Sequence, residues 1–115
     1  TKDIRYINAH GTGTQANDSA ELNAIYTLFN KHKPFVSSTK STTGHTLGAA
    51  GALEAVVSCL ILLKQTIVPN KNLNDVEVDT VNFSQEVLKE KVSYVLSNSF
   101  AFGGNNTSLI FGLVK

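Results

Sequence analysis

Two histidines, a lysine and a glutamate stand where their types and spacing suggest chemistry. His10 and His45 lie 35 residues apart, each in a loop rich in glycine and hydroxyl side chains: His10-Gly11-Thr12-Gly13-Thr14 and Thr39-Lys40-Ser41-Thr42-Thr43-Gly44-His45. Two neutral imidazoles aimed at one carbonyl oxygen can donate hydrogen bonds to a developing enolate, a form of electrostatic stabilisation that often dominates catalysis. One loop histidine alone is commonly a surface or capping residue, whereas a pair in equivalent loops favours a site. Lys40 lies among Ser37, Ser38, Thr39, Ser41 and Thr42, and a lone lysine there is ordinarily solvated. Glu54, however, falls inside an apolar stretch, where an unpaired carboxylate is costly. A Lys40–Glu54 ion pair resolves both.

Competing chemistries have less behind them. A zinc site built from His10, His45 and Cys59 lacks the closely spaced ligand pairs that zinc sites show. Gly11-Thr12-Gly13-Thr14 resembles a phosphate cradle at a helix start. Its dinucleotide fingerprint is incomplete, however, because Ala16 occupies the third glycine position. Cys59, inside the apolar stretch, reads as a buried core thiol rather than a nucleophile. His32, between Lys31 and Lys33, reads as solvated.

The elements that carry these residues follow from pattern. Residues 4–9 form a β-branched and aromatic run that ends in the first glycine-rich loop. Asp18 followed by Glu21 is a capping-box spacing, so a helix is expected to open there, with Leu22, Ile25, Tyr26, Leu28 and Phe29 on its apolar face. The lysines at 31 and 33 suit the helix C-terminus and Pro34 stops it. The unit then repeats: a strand at 34–38, the polar Lys40 loop, and a second helix from Thr46 to about Gln65 whose first turns are thin. Residues 68–91 read as irregular. Residues 92–99 and 107–114 read as strands joined by a Gly-Gly-Asn-Asn turn, an antiparallel hairpin. Alternating β and α units with an antiparallel final pair predict an α/β fold with a mixed sheet. In such sheets ligands gather beyond the carboxyl ends of the strands, which is where His10, Lys40, His45 and Phe102 fall.

Composition bounds the alternatives. The chain has 115 residues, a net charge of +1, 42% hydrophobic residues and one cysteine. That is a globular composition for a single domain or a part of one, with no internal disulfide, as expected in the cytoplasm. No basic cluster marks it for nucleic acid or an anionic membrane. The N-terminus has no apolar core of a signal peptide and reads as a chain cut just ahead of a strand. The apolar stretch at 47–63 has Glu54 near its middle, and reads as a helix buried on nearly all sides rather than one that crosses a membrane.

Three segments together resemble a known family. They are His10-Gly11-Thr12-Gly13-Thr14 with Asp18 and Glu21, the stretch 38–51, and Asn98-Ser99-Phe100-Ala101-Phe102-Gly103-Gly104-Asn105-Asn106. In this order they resemble the β-ketoacyl-acyl-carrier-protein synthases, most closely the elongating KAS II type and related polyketide ketosynthases. The resemblance implies a thiolase-like fold of two similar halves, with residues 1–115 forming the C-terminal portion of that domain. It implies decarboxylative Claisen condensation of an acyl thioester with a malonyl group carried on acyl carrier protein. By the same resemblance, His10 and His45 would promote decarboxylation and hold the enolate oxygen, and Lys40, linked to Glu54, would order the site. Thr12 and Thr14 would contact the phosphopantetheine arm. Phe102 would be the gating aromatic and an oxyanion-hole donor, with Gly103 beside it.

No metal or other cofactor is implied beyond the phosphopantetheine that carries the substrates. The implied partners are acyl carrier protein, the N-terminal half of the same enzyme, and a second copy in a homodimer. Ala101 replaces the family's usual glycine, and would stiffen the gating loop if the position needs positive φ. Asn105 stands where threonine is usual. The family's nucleophilic cysteine belongs to the other half and Cys59 does not match it, so these 115 residues alone are expected to be inactive. The alternative is a non-catalytic subunit of the chain-length-factor type.

Overall fold

Alternating β-branched and aromatic residues set the first strand, and the same device recurs at each strand of the main sheet. The computed structural model describes residues 1–74 and 81–114. Strand β1 is Ile4–Asn8, helix α1 Gln15–Phe29, strand β2 Phe35–Ser37 and the short helix α2 Lys40–Thr43. A 3₁₀ turn at Leu47–Ala49 leads into α3, Ala50–Lys64. Then come β3 (Thr66–Ile67), β4 (Leu88–Lys89), β5 (Tyr94–Ala101), a 3₁₀ turn at Phe102–Gly104, and β6 (Asn105–Gly112). The main sheet has the order β2-β1-β5-β6. Its first three strands are parallel and β6 runs antiparallel to β5, so the sheet is mixed, as expected.

Parallel neighbours require crossovers, and α1 and α3 supply them on opposite faces of the sheet. The two-residue period of the strands sorts the core accordingly. Ile7 and Leu96 pack with Ile25 and Phe29 of α1. Tyr6 and Val95 pack with Ile61 and Leu62 of α3. The result is three layers, helix on sheet on helix, with the polar loops gathered at one end.

Several expectations need correction. Helix α1 is capped by Thr14, not by the residues at 17–18: Thr14 is extended (φ −99°, ψ 138°) and its hydroxyl accepts from the Asn17 N–H at 3.4 Å. The earlier start places Asp18 in the first turn and turns Glu21 inward. Only part of the expected apolar face is then covered, for Ile25 and Phe29 are buried but Tyr26 and Leu28 are exposed.

The second helix does not run unbroken from Thr46. Gly44 and Leu47 both take positive φ (73° and 51°), which breaks the segment into α2, a 3₁₀ turn and α3. Helix α3 is buried on one face only, through Ala50, Glu54, Ser58, Ile61 and Leu62. Leu53, Val56, Leu60, Leu63 and Cys59 are exposed, so Cys59 is not a core residue. By length and composition the segment Leu47–Lys64 is apolar enough to cross a membrane, yet the face it turns to the sheet carries Glu54 and Ser58.

The stretch expected to be irregular, 68–91, supplies one strand of a small antiparallel ladder, with Lys89 opposite Thr66 and Leu88 opposite Ile67. Two-residue strands are too short to leave a periodic pattern. Positions 75–80 of that stretch lie outside the described residues.

Candidate active site

The loop after β1, the loop after β2 and the start of α3 converge beyond the carboxyl ends of the strands. Lys40 and Glu54 form the expected ion pair, Lys40 Nζ donating to Glu54 Oε1, and both side chains are buried. The other carboxylate oxygen of Glu54 accepts from the Ser99 hydroxyl of β5 at 3.3 Å. Lys40 Nζ also lies 3.4 Å from His10 Nδ1. The His10 and His45 rings meet edge to face, their centroids 5.6 Å apart. His10, Lys40, His45 and Glu54, singled out from sequence, thus form one contiguous chain of contacts.

Hydrogen bonds define the tautomer of each imidazole. His10 Nδ1 faces the Lys40 ammonium, which can only donate, so Nδ1 accepts. His45 Nδ1 accepts the backbone N–H of Leu47 at 3.1 Å. With Nδ1 accepting, each ring presents Nε2–H as a donor. Burial disfavours a charged imidazole at His10 and the nearby Lys40 cation adds to this, so its pKa is held below the ordinary histidine value. The Glu21 and Glu54 carboxylates pull the other way and His45 adds slightly to the lowering. His10 is consequently neutral at pH 7.

Glu21 is a positioning group that sequence analysis noted only as a capping-box and motif residue. One carboxylate oxygen accepts from the His10 N–H at 2.9 Å and the other from the Gly11 N–H at 3.0 Å. The first oxygen also accepts from Asn98 Nδ2 at 3.0 Å, and Asn98 Oδ1 takes the Ser108 hydroxyl at 2.8 Å. The His10 loop is thereby tied to β5 and β6. No local pattern signals this, because Glu21 and Asn98 are 77 residues apart. Asn8, buried beneath the site, donates to the Glu54 backbone carbonyl at 3.2 Å.

The remaining residues singled out from sequence lie at the edge of this cluster. Thr12 and Thr14 share a hydroxyl–hydroxyl bond of 3.0 Å, and Thr14 also caps α1. Phe102 is fully exposed at the tip of the β5–β6 hairpin, beside Gly103 and Gly104 at φ 79°. Phe100, not Phe102, is the ring against His10, at 5.5 Å. Ala101 is extended (φ −135°, ψ 162°), a conformation open to any residue, so it introduces no strain. An open cavity of about 420 Å³ adjoins the cluster, lined among others by the polar Thr12, Lys40 and His45 and the apolar Leu22 and Phe83.

Residues 1–74 match the family model described as "Beta-ketoacyl synthase, C-terminal domain". The chain belongs to that family. The 3-oxoacyl-[acyl-carrier-protein] synthase 2 of Coxiella burnetii is 48% identical over 115 residues, covering 96% of this chain and 28% of that protein. The ishigamide ketosynthase/chain length factor structure superposes with a TM-score of 0.91 at 37% identity, over 98% of this chain and 28% of its own. A type II PKS acyl-carrier protein in complex with its ketosynthase bound to the hexaketide gives a TM-score of 0.90 at 32% identity, over 97% of this chain and 28% of its own. The chain therefore spans about 28% of the length of these relatives, and its thiolase-like mixed α/β architecture is theirs.

Proposed function

We propose that this chain supplies the decarboxylating part of a condensing-enzyme site, and that the acyl-bearing nucleophile comes from a segment outside these 115 residues. The observation that carries the reading is the matched tautomer of the two histidines. Lys40 and the Leu47 N–H occupy the two Nδ1 atoms, leaving two Nε2–H donors on rings 5.6 Å apart. A malonyl thioester bound with its carbonyl oxygen between them loses carbon dioxide as its C–C bond breaks, and the electron pair becomes an enolate whose oxygen takes both hydrogen bonds. The enolate carbon then attacks the acyl thioester on the nucleophile. The new C–C bond forms as the thiolate leaves.

Neutral imidazoles suit this task. A donor that is already neutral stabilises the enolate without giving up its proton, and the lowered pKa of His10 keeps it so at pH 7. Lys40 acts through His10, held there by Glu54. In this reading Thr12 and Thr14 contact the phosphopantetheine arm, and Phe102 and Gly103 gate the acyl pocket. No metal or further cofactor is assigned. The partners are acyl carrier protein and the nucleophile-bearing half, in a cytoplasmic homodimer. The solved complex of a related ketosynthase with its carrier protein supports the first of these.

The test is release of carbon dioxide from malonyl-carrier thioester by the full-length protein. His10→Ala is expected to slow it about 10²- to 10³-fold while Cys59→Ser leaves it intact. The reverse result refutes the assignment.

A further inference from the structure

Helix α2, which begins at Lys40, cannot place itself. It has four residues and no side-chain cap at its N-terminus, and so short a helix has little stability of its own. Beside the Lys40–Glu54 pair, what holds it comes from the segment after β3. The Asn70 side-chain amide reaches the end of β2 with both its ends: Nδ2 donates to the Val36 carbonyl at 3.1 Å and Oδ1 accepts the Ser38 N–H at 2.8 Å. The amide thus takes the place of a neighbouring strand. The next residue adds a second tie, the Lys71 N–H donating to the Ser41 hydroxyl at 3.2 Å, while that hydroxyl donates to the Ser38 carbonyl at 2.9 Å.

Ser38 passes the constraint to the other loop. Its hydroxyl donates to the Gly11 carbonyl at 3.0 Å, next to His10. The contact is close enough that a Cβ at Gly11 would lie 2.4 Å from Ser38 Cβ. Every polar group of Ser38 is therefore committed, one side to Asn70 and Ser41 and the other to the His10 loop.

We propose that Asn70 is a positioning residue that, through Ser38, sets the placement of Lys40 against His10. Its catalytic consequence rests on the decarboxylation reading above; its structural consequence does not. The charged and titratable groups facing His10 are Lys40 from α2, Glu54 from α3, Glu21 from α1 and His45 from its loop. Of these, Lys40 and His45 follow directly on the clipped segment. Freeing the clip withdraws the Lys40 cation from Nδ1, and His10 then titrates at a higher pH.

The test compares wild-type and Asn70→Ala full-length protein, following the His10 Cε1–H by NMR titration and malonyl-thioester decarboxylation by carbon dioxide release. Asn70→Ala is expected to move the His10 titration upward and to lower kcat about 10- to 100-fold, with KM within about twofold. An unmoved His10 titration overturns the inference whatever happens to the rate, and so does a loss confined to KM. If wild-type protein shows no decarboxylation while the titration still moves, the clip stands and the proposed function falls. Should Asn70→Ala fail to fold, Asn70→Ser, which also cannot span both partners, is judged by the same criteria.

Discussion

Lys40 and Glu54 join the loop after β2 to helix α3 through an ion pair that leaves only 5% and 2% of their side chains exposed. The pair explains a carboxylate in the middle of an apolar helix, and it presents a fixed cation to His10. Breaking one partner of a buried pair strands the other. Glu54→Gln is expected to cost about 3–5 kcal/mol of stability and to lower decarboxylation, both from the loosened Lys40 loop. Denaturant unfolding and carbon dioxide release measure the two effects. Unchanged stability and activity would show that the pair is incidental.

The two histidines are expected to contribute comparably and non-additively. Removing either Nε2–H donor should slow decarboxylation about 10²- to 10³-fold. The double alanine variant should lose less than the product of the two, because both donors serve one oxygen. Rates for His10→Ala, His45→Ala and the pair decide it, and full additivity would place the rings on different oxygens.

The pH dependence follows from the lowered pKa of His10. Burial and the Lys40 cation place the folded-state value below the ordinary one of about 6.5, so between those two pH values the unfolded chain binds more protons. Stability is therefore complete above about pH 6.5 and declines as pH falls toward the folded-state value. Denaturant midpoints across that range are expected to slope upward with pH, and His10→Gln should flatten part of the slope. The acid limb of decarboxylation should lie below the range of a free histidine.

Gly11 packs its bare Cα against Ser38. A side chain there meets Ser38 Cβ at 2.4 Å and sits at φ 40°. Gly11→Ala is expected to destabilise by about 1–3 kcal/mol and to displace His10. Adding Ser38→Gly relieves the clash but not the backbone strain, so thermal unfolding of the double variant should show partial recovery. Full recovery would make the clash the whole effect.

Ala101 departs from the family's usual glycine without consequence for the backbone. It is extended, so Ala101→Gly should leave the product chain-length distribution unaltered and cost about 0.5–1 kcal/mol through added unfolded-state freedom. Product analysis of the two enzymes tests it. A changed distribution would show that the loop visits positive φ at this residue.

Much of the site is legible before folding. The strand-loop-helix alternation, the two histidine loops and the final hairpin all rest on local patterns of period two or 3.6, and these survive into the structure. The Lys40–Glu54 pair is also readable from sequence, because a carboxylate within an apolar helix demands a partner and Lys40 is a cation in the polar loop just ahead of that helix. Helix ends are less legible. Thr14, Asn17 and Asp18 can all cap a helix, and the choice of Thr14 depends on how the His10 loop leaves β1. That choice turns Glu21 toward the His10 and Gly11 N–H groups.

The amino-acid sequence by itself determined the family, the mixed α/β architecture and which side chains gather beyond the strands, since periodicity and turn chemistry are local. Only the tertiary structure decided which atoms face one another. The Nε2–H tautomers depend on the partners of Nδ1, a lysine 30 residues from His10 and a backbone N–H held at positive φ at Leu47. The Glu21–Asn98 tie and the Asn70–Ser38 clip join positions 77 and 32 residues apart. Their partners are chosen by how the helices seat on the sheet, and no local pattern records that. For the same reason the exposure of Cys59 could not be read from the apolar stretch: only the seating of α3, with Glu54 and Ser58 inward, settles which face is left outside.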